Sequence, residues 1–334
     1  MSSIEQISIW PSNLSQILLL GMALLFPLRL LGAEQSDAQI QQPDLLDSID
    51  APRDYLSGKL ISFASSIDRF FGDDRNYQES NQSVFQLDLV RVTGYGGDRK
   101  FVLSGRAKLN LPSTEKYLHL LLETDPEKNI TGGQTPSQPA LNNQITTPGS
   151  YAAAVRYERG KAKEIPWHFS ADAGVKFQSL HLDPFVRARG SYSVPLDQWR
   201  LKAAESVYWF NTIGAGETTQ LDLEHFLSES VLFRASSNAT WLNDKQNFDL
   251  RQDLSIYHTV NDRTALLYQA SVIGVSNPQY QVADYVVLML FRYRLHRNWI
   301  FFEFSPQLHF PKTNYFQSSP ALNMRLEMLF DGSK

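Results

Sequence analysis

From Ser83 to Phe330 the chain alternates between apolar and polar residues in short runs, with polar stretches between them. Trp167–Gln178 shows this most cleanly. Trp167, Phe169, Ala171, Ala173, Val175 and Phe177 fall on one parity, and His168, Ser170, Asp172, Lys176 and Gln178 on the other. Successive side chains of a strand point to opposite faces, so each such run has one apolar and one polar face. Fourteen runs fit: Val84–Val92, Phe101–Leu111, Tyr117–Thr124, Tyr151–Glu158, Trp167–Gln178, Phe185–Val194, Trp199–Phe210, Gln220–Leu227, Val231–Leu242, Phe248–His258, Thr264–Gly274, Ala283–Arg294, Trp299–His309 and Ala321–Phe330. Twelve is the alternative count, because a weak run such as Gln220–Leu227 can be bulged or merged with a neighbour.

Loop lengths supply an internal check. Every second connection is short: Pro112–Lys116, Gly160–Lys163, Pro195–Gln198, Ser228–Ser230, Asn261–Arg263 and His296–Asn298. The longest, Asp125–Gly149 and Pro311–Ser319, fall in the other set. An up-and-down barrel with short turns at one rim and longer loops at the other has this pattern. Trp167, Trp199, Trp241, Trp299, Tyr151, Tyr157 and Tyr293 sit near run ends, where interfacial girdles place aromatic residues.

The last run, Ala321–Phe330, puts Leu322, Met324, Leu326, Met328 and Phe330 on one face and Asn323, Arg325 and Glu327 on the other. Together with its terminal aromatic, it resembles the C-terminal signature of Gram-negative outer-membrane β-barrels. The resemblance is to a structural class and covers Ser83–Phe330. It implies an all-β, transmembrane, antiparallel up-and-down barrel in the outer membrane. Its outer face would meet lipid, and the barrel assembly machinery would read Ala321–Phe330.

The N-terminal quarter reads differently. Ile17–Leu31 is the one long apolar run, too short to span as a helix and broken by Pro27 and Arg29. With Gly32-Ala33 after it, residues 1–33 are expected to form a signal peptide, although Met1–Gln16 carries Glu5 and no Lys or Arg. Residues 34–82 are expected to be periplasmic. They comprise a polar linker and a short amphipathic helix that starts at Asp50-Ala-Pro52 and carries Leu56, Leu60, Phe63, Ala64, Ile67, Phe70 and Phe71 on one stripe. That helix either plugs the barrel or lies on the membrane surface. The barrel then occupies 83–330 and a tail 331–334.

Composition narrows the function classes. The chain has no cysteine, which removes disulfide frameworks and thiolate chemistry, and its net charge is −4. No basic patch supports nucleic-acid binding. A mean hydropathy of −0.29 suits a barrel in which only alternate residues face lipid.

The inward parity carries Arg106, Lys108, Arg156, Lys176, Arg187, Arg189, Arg200, Lys202, Arg234, Arg251, Arg292, Arg294 and Arg325, with carboxylates that include Asp172, Glu303 and Glu327. Charges confined to one face of many strands would be prohibitively costly in a dry core and cost little in a watery lumen. These residues are the candidate lumen lining. Two functions fit: passive passage of small polar or anionic solutes, or a non-conducting barrel tied together by Arg–carboxylate ladders. Arg187, Arg189, Arg200 and Lys202 are expected to form one basic patch.

The enzyme alternative is an outer-membrane acyl hydrolase, whose class uses Ser, His and Asn with His and Ser two apart. Arg234–Trp241 is the nearest stretch and lacks the His, and neither His225 nor His258 has Ser two residues away. The chain is read as non-enzymatic, with no cofactor. The seven histidines form no HxxxH or HxH pair, so no metal is expected. Glu205, Ser237 and Gln252 break the apolar parity. Either bulges return them to the lumen, or they mark a contact in a homo-oligomer.

Overall fold

A computed structural model describes residues 63, 64, 66–68, 70, 71, 83–96, 101–111, 117–127, 148–159, 167–178, 181–244, 246–295 and 299–331. The expected signal peptide, the polar linker, the start of the expected helix, most of the long loop and residues 332–334 lie outside them. The described residues form fourteen strands. The first seven are β1 Val84–Gly94, β2 Phe101–Asn110, β3 Leu118–Thr124, β4 Tyr151–Arg159, β5 Trp167–Gln178, β6 His181–Leu196 and β7 Trp199–Phe210. The others are β8 Gly214–Ser228, β9 Val231–Leu242, β10 Asn247–Asn261, β11 Thr264–Val275, β12 Gln281–Arg294, β13 Ile300–Pro311 and β14 Ser319–Asp331. Each strand pairs antiparallel with its sequence neighbours, and β14 closes on β1 with Phe85 opposite Phe330 and Asp88 opposite Glu327. Closure leaves no sheet edge, the condition for a sheet to lie in hydrocarbon.

Alternation sets the two faces. Phe101, Tyr151, Val186 and Leu254 are exposed on the outside, whereas Lys108, Glu158, Arg292 and Glu327 are fully buried inside. Both ends of the barrel sequence, Val84 and Asp331, lie at one rim, the terminal rim. Aromatic residues ring it on the outside. Trp167 packs on Tyr192 at 4.3 Å between ring centroids, Trp199 on His225 at 4.4 Å, and Trp299 on Phe330 at 4.6 Å.

Two strands are longer than their alternation suggests. β6 starts at His181, where Pro184 masks the run, and β8 starts at Gly214, where Gly214-Ala-Gly216 reads as a turn. Gly216 is in fact ladder backbone packed under the Tyr208 ring, where a Cβ would lie 2.2 Å from Cε2. The register is irregular at Phe226/Ser228, Thr259/Asn261 and Ile273/Gly274. It runs unbroken through Glu205, Ser237 and Gln252, so bulges do not return these residues to the interior.

Phe63, Ala64, Ser66, Ile67, Asp68 and Phe70 are helical. Ala64, Ile67 and Phe71 are buried in one apolar cluster with Leu232, Tyr257, Ala265, Leu267 and Leu290, which lie near the terminal-rim ends of β9 to β12. These residues are inside the barrel rather than on its outer surface.

Candidate functional site: the barrel interior

Because inward residues of adjacent strands stand opposite one another, the alternation alone brings cations beside carboxylates. All the predicted lining residues occupy the inward parity. At the seam, Arg325 on β14 donates from Nε to Glu303 Oε2 on β13 at 2.7 Å and from Nη1 to Asp88 Oδ1 on β1 at 3.2 Å. Arg292 on β12 pairs with Glu303 and, at 2.7 Å, with Glu327. Arg106 donates to Gln86, which in turn donates to Asp88.

Farther round the wall, Lys108 sits 3.3 Å from Glu158, which also takes His168 at 2.9 Å. Arg156 binds Asp172 in a two-bond fork at 2.6 and 2.8 Å, a planar match that only a guanidinium offers. Arg187 bridges Asp172 and Glu123, and Lys176 reaches Glu127 at the start of the long loop. Arg200 and Arg234 share Glu224 at 2.6 and 2.7 Å. Lys202 stands opposite Asp222, and Arg251 donates to Asp253.

The four cations expected to form one basic patch are thus divided. Arg187 and Arg200 turn to carboxylates on different strands, while among the described residues Arg189 donates to the Ser206 hydroxyl at 3.3 Å. Arg189 Nε and Nη2 and Arg251 Nη1 and Nη2 are buried and meet no acceptor among the described residues. Arg156 Nη1, Arg292 Nε and Nη2 and Arg294 Nε are in the same state; buried donors are rarely left unpaired, so these nitrogens together mark positions in the wall where an acceptor would be held.

At the terminal rim the described residues of the helical segment pack against the inner wall. Asp68 accepts from Arg234 Nη2 at 2.6 Å. Phe71 meets Tyr257 edge-on at 5.2 Å, Phe70 meets Phe301 at 5.7 Å, and Phe63 lies against Phe226 at 5.1 Å. The Arg294 guanidinium covers the Phe70 ring at 5.3 Å and the Phe301 ring at 5.5 Å. One ion pair and three ring contacts, to four different strands, hold the segment against the inner wall.

Asp68, Glu127 and Asp284 are interior carboxylates that alternation in the strand runs did not single out. The first lies on the helix and the second in a loop. Asp284 sits one residue past the irregular register of β11 and β12. It binds His309 Nδ1 at 2.8 Å, but the other ring nitrogen faces Gln307 at 3.2 Å, not a serine hydroxyl. His225 accepts no Ser either: Nδ1 meets the Gln198 carbonyl and its ring stacks on Trp199.

A closed, even-stranded antiparallel barrel, apolar outside and charged within, has the architecture of the Gram-negative outer-membrane β-barrel class, and this chain has that fold. No family model matches the chain, and no curated protein matches it. Solved structures that resemble it include the NanC porin, at 9% identity and TM-score 0.38 over 73% of this chain and 98% of that one. OmpT of Vibrio cholerae lacking loop L8 aligns at 10% identity and TM-score 0.46, over 74% and 98%. The outer membrane channel DcaP of Acinetobacter baumannii aligns at 10% and 0.40, over 75% and 96%.

Proposed function

We propose that the protein is an outer-membrane channel for small polar or anionic solutes, held closed at its periplasmic rim by its own N-terminal helix. The terminal rim faces the periplasm, lipid surrounds the outer face, and the assembly machinery reads Ala321–Phe330. The observation that carries the reading is a set of interior guanidinium nitrogens, Arg189 Nε and Nη2 and Arg251 Nη1 and Nη2 among them, that meet no acceptor among the described residues. A solute bearing hydroxyl, carboxylate or phosphate oxygens supplies those acceptors as it passes. Asp68, Glu127 and Asp284 offset the basic surplus of the strands, so any preference for anions is modest and local to these arginines.

Liposome swelling and reversal potentials of the refolded chain lacking residues 56–71, which the helix no longer closes, test the reading. Arg189→Gln with Arg251→Gln is expected to lower the anion preference, whereas Arg200→Gln, which alters a cation already paired with Glu224, leaves it nearly unchanged. The close ion pairing elsewhere favours a second reading, a barrel sealed by its own ladder. A folded, helix-deleted barrel that neither swells liposomes nor conducts would select that one.

A further inference from the structure

From β8 to β12 the outer face is hollow. Thr219, Ala239, Leu250, Gly274 and Val282 stand opposite one another in a single row across these five strands. Ser237, Ala239 and Gly274 are small, and Leu221, Leu250 and Tyr280 stand around them. The difference in size opens a depression of about 580 Å³. Four strand spacings of about 4.8 Å make it roughly 19 Å long, and one leaflet of the hydrocarbon core is about 15 Å thick.

The depression descends from the far rim. At its β12 end, Gly274 and Val282 are one residue from the far-rim ends of their strands, whereas Thr219 and Leu221 on β8 are five and seven residues from theirs. Its upper end is aromatic and basic. Tyr280 is 76% exposed there, and Tyr285 packs with Phe316 at 5.7 Å, residue types that mark headgroup depth. Lys312, exposed in the turn after β13, donates from Nζ to Gln281 in the lining of this end. An ammonium offers three hydrogens.

Towards β8 the polar side chains of the floor are engaged within the chain. Thr219 donates to Glu205 at 2.8 Å, Ser237 donates to Gln252 Oε1, and Gln252 Nε2 donates to the Asp253 carbonyl at 3.3 Å. Glu205 also shares a hydrogen bond with Glu217, at the end away from Lys312. What the depression presents to the membrane is therefore an apolar trough with a cation at its mouth.

We propose that this depression holds one acyl chain of a phosphate-bearing lipid of the outer leaflet. The phosphate meets Lys312, and the chain lies from Tyr280 towards Leu221. A cation at headgroup depth above an apolar trough matches an anionic amphiphile in both charge and shape. A chain seated among Leu221, Leu250 and Val272 touches apolar atoms on several sides, where a level wall would offer one. The proposal rests on the outer face meeting lipid and on the terminal rim facing the periplasm, as in the proposed function, and not on conduction.

Native mass spectrometry of the refolded protein, titrated with phosphatidylglycerol in detergent, is expected to show one retained lipid. Ala239→Trp fills the floor and should weaken that binding about tenfold or more. Lys312→Gln should weaken phosphatidylglycerol up to about fivefold, the scale of one exposed ion pair, and leave diacylglycerol, which lacks the phosphate, unchanged. Leu103→Trp, outward on β2, should bind as the wild type does. In vesicles, phosphatidylglycerol with a diazirine on its acyl chain should label β9 to β12 of the wild type above the other strands. Even labelling, or equal binding by the wild type and the Ala239→Trp variant, overturns the site. An equal response of both lipids to Lys312→Gln overturns the phosphate assignment. A wild type that does not insert into vesicles overturns the lipid-facing outer face itself.

Discussion

Asp68 and Arg234 are 166 residues apart in the chain and meet at 2.6 Å inside the barrel, one on the helix and the other on the wall. Their roles are unequal. Arg234 also holds Glu224 and lies over the Tyr257 ring, so losing Asp68 leaves the arginine paired. Asp68→Asn should weaken helix docking by about 1.5–3 kcal/mol, the scale of one charged hydrogen bond, and leave the barrel intact. Arg234→Met takes the arginine from both Asp68 and Glu224, and is expected to cost the fold about 3–5 kcal/mol. Urea unfolding followed by heat-modifiable gel migration separates the two. Equal midpoints would contradict the assigned asymmetry.

Arg325 ties the seam where the last strand meets the first. Through Glu303 on β13 and Asp88 on β1 it spans three strands. Arg325→Met takes the arginine from Glu303, Glu327 and Asp88 together, so it should lower the unfolding midpoint more than Arg251→Met, whose carboxylate partner among the described residues is Asp253 on its own strand. Parallel urea melts check this order.

Gly216 is required by the ring above it. Gly216→Val places side-chain atoms where the Tyr208 ring lies and should cost about 1–3 kcal/mol through overpacking. Tyr208→Ala should recover part of that loss in the double variant. An additive pair of penalties would place the ring elsewhere.

Phe330 joins the aromatic ring at the terminal rim, stacked on Trp299 and 5.9 Å from Phe85 across the closure. Phe330→Ala should reduce the fraction of protein recovered folded in the outer membrane, and removing residues 332–334 should not. Equal recovery of the two variants would argue against a signal ending at Phe330.

Alternation made the barrel legible because side-chain parity in a strand is strict, and a wall wet on one face shows it in every run. All fourteen strands and the inward set were accessible that way. The start of β8 was not, because Gly214 and Gly216 carry the composition of a turn while serving as ladder positions under Tyr208. The charged wall was readable as a set but not as pairs. Whether Arg200 is held by a carboxylate and Arg189 by a hydroxyl depends on which side chain stands on the next strand, and that depends on register. The Asp68–Arg234 contact was least legible, since nothing local in either segment names its partner.

The central claim is that the helix closes a conducting barrel, and single-channel recording in planar bilayers tests it most directly. The full chain is expected to be silent or to open briefly, and a chain lacking residues 56–71 to hold a steady open level with the same strand content. Silence from that folded, helix-deleted barrel would contradict the account.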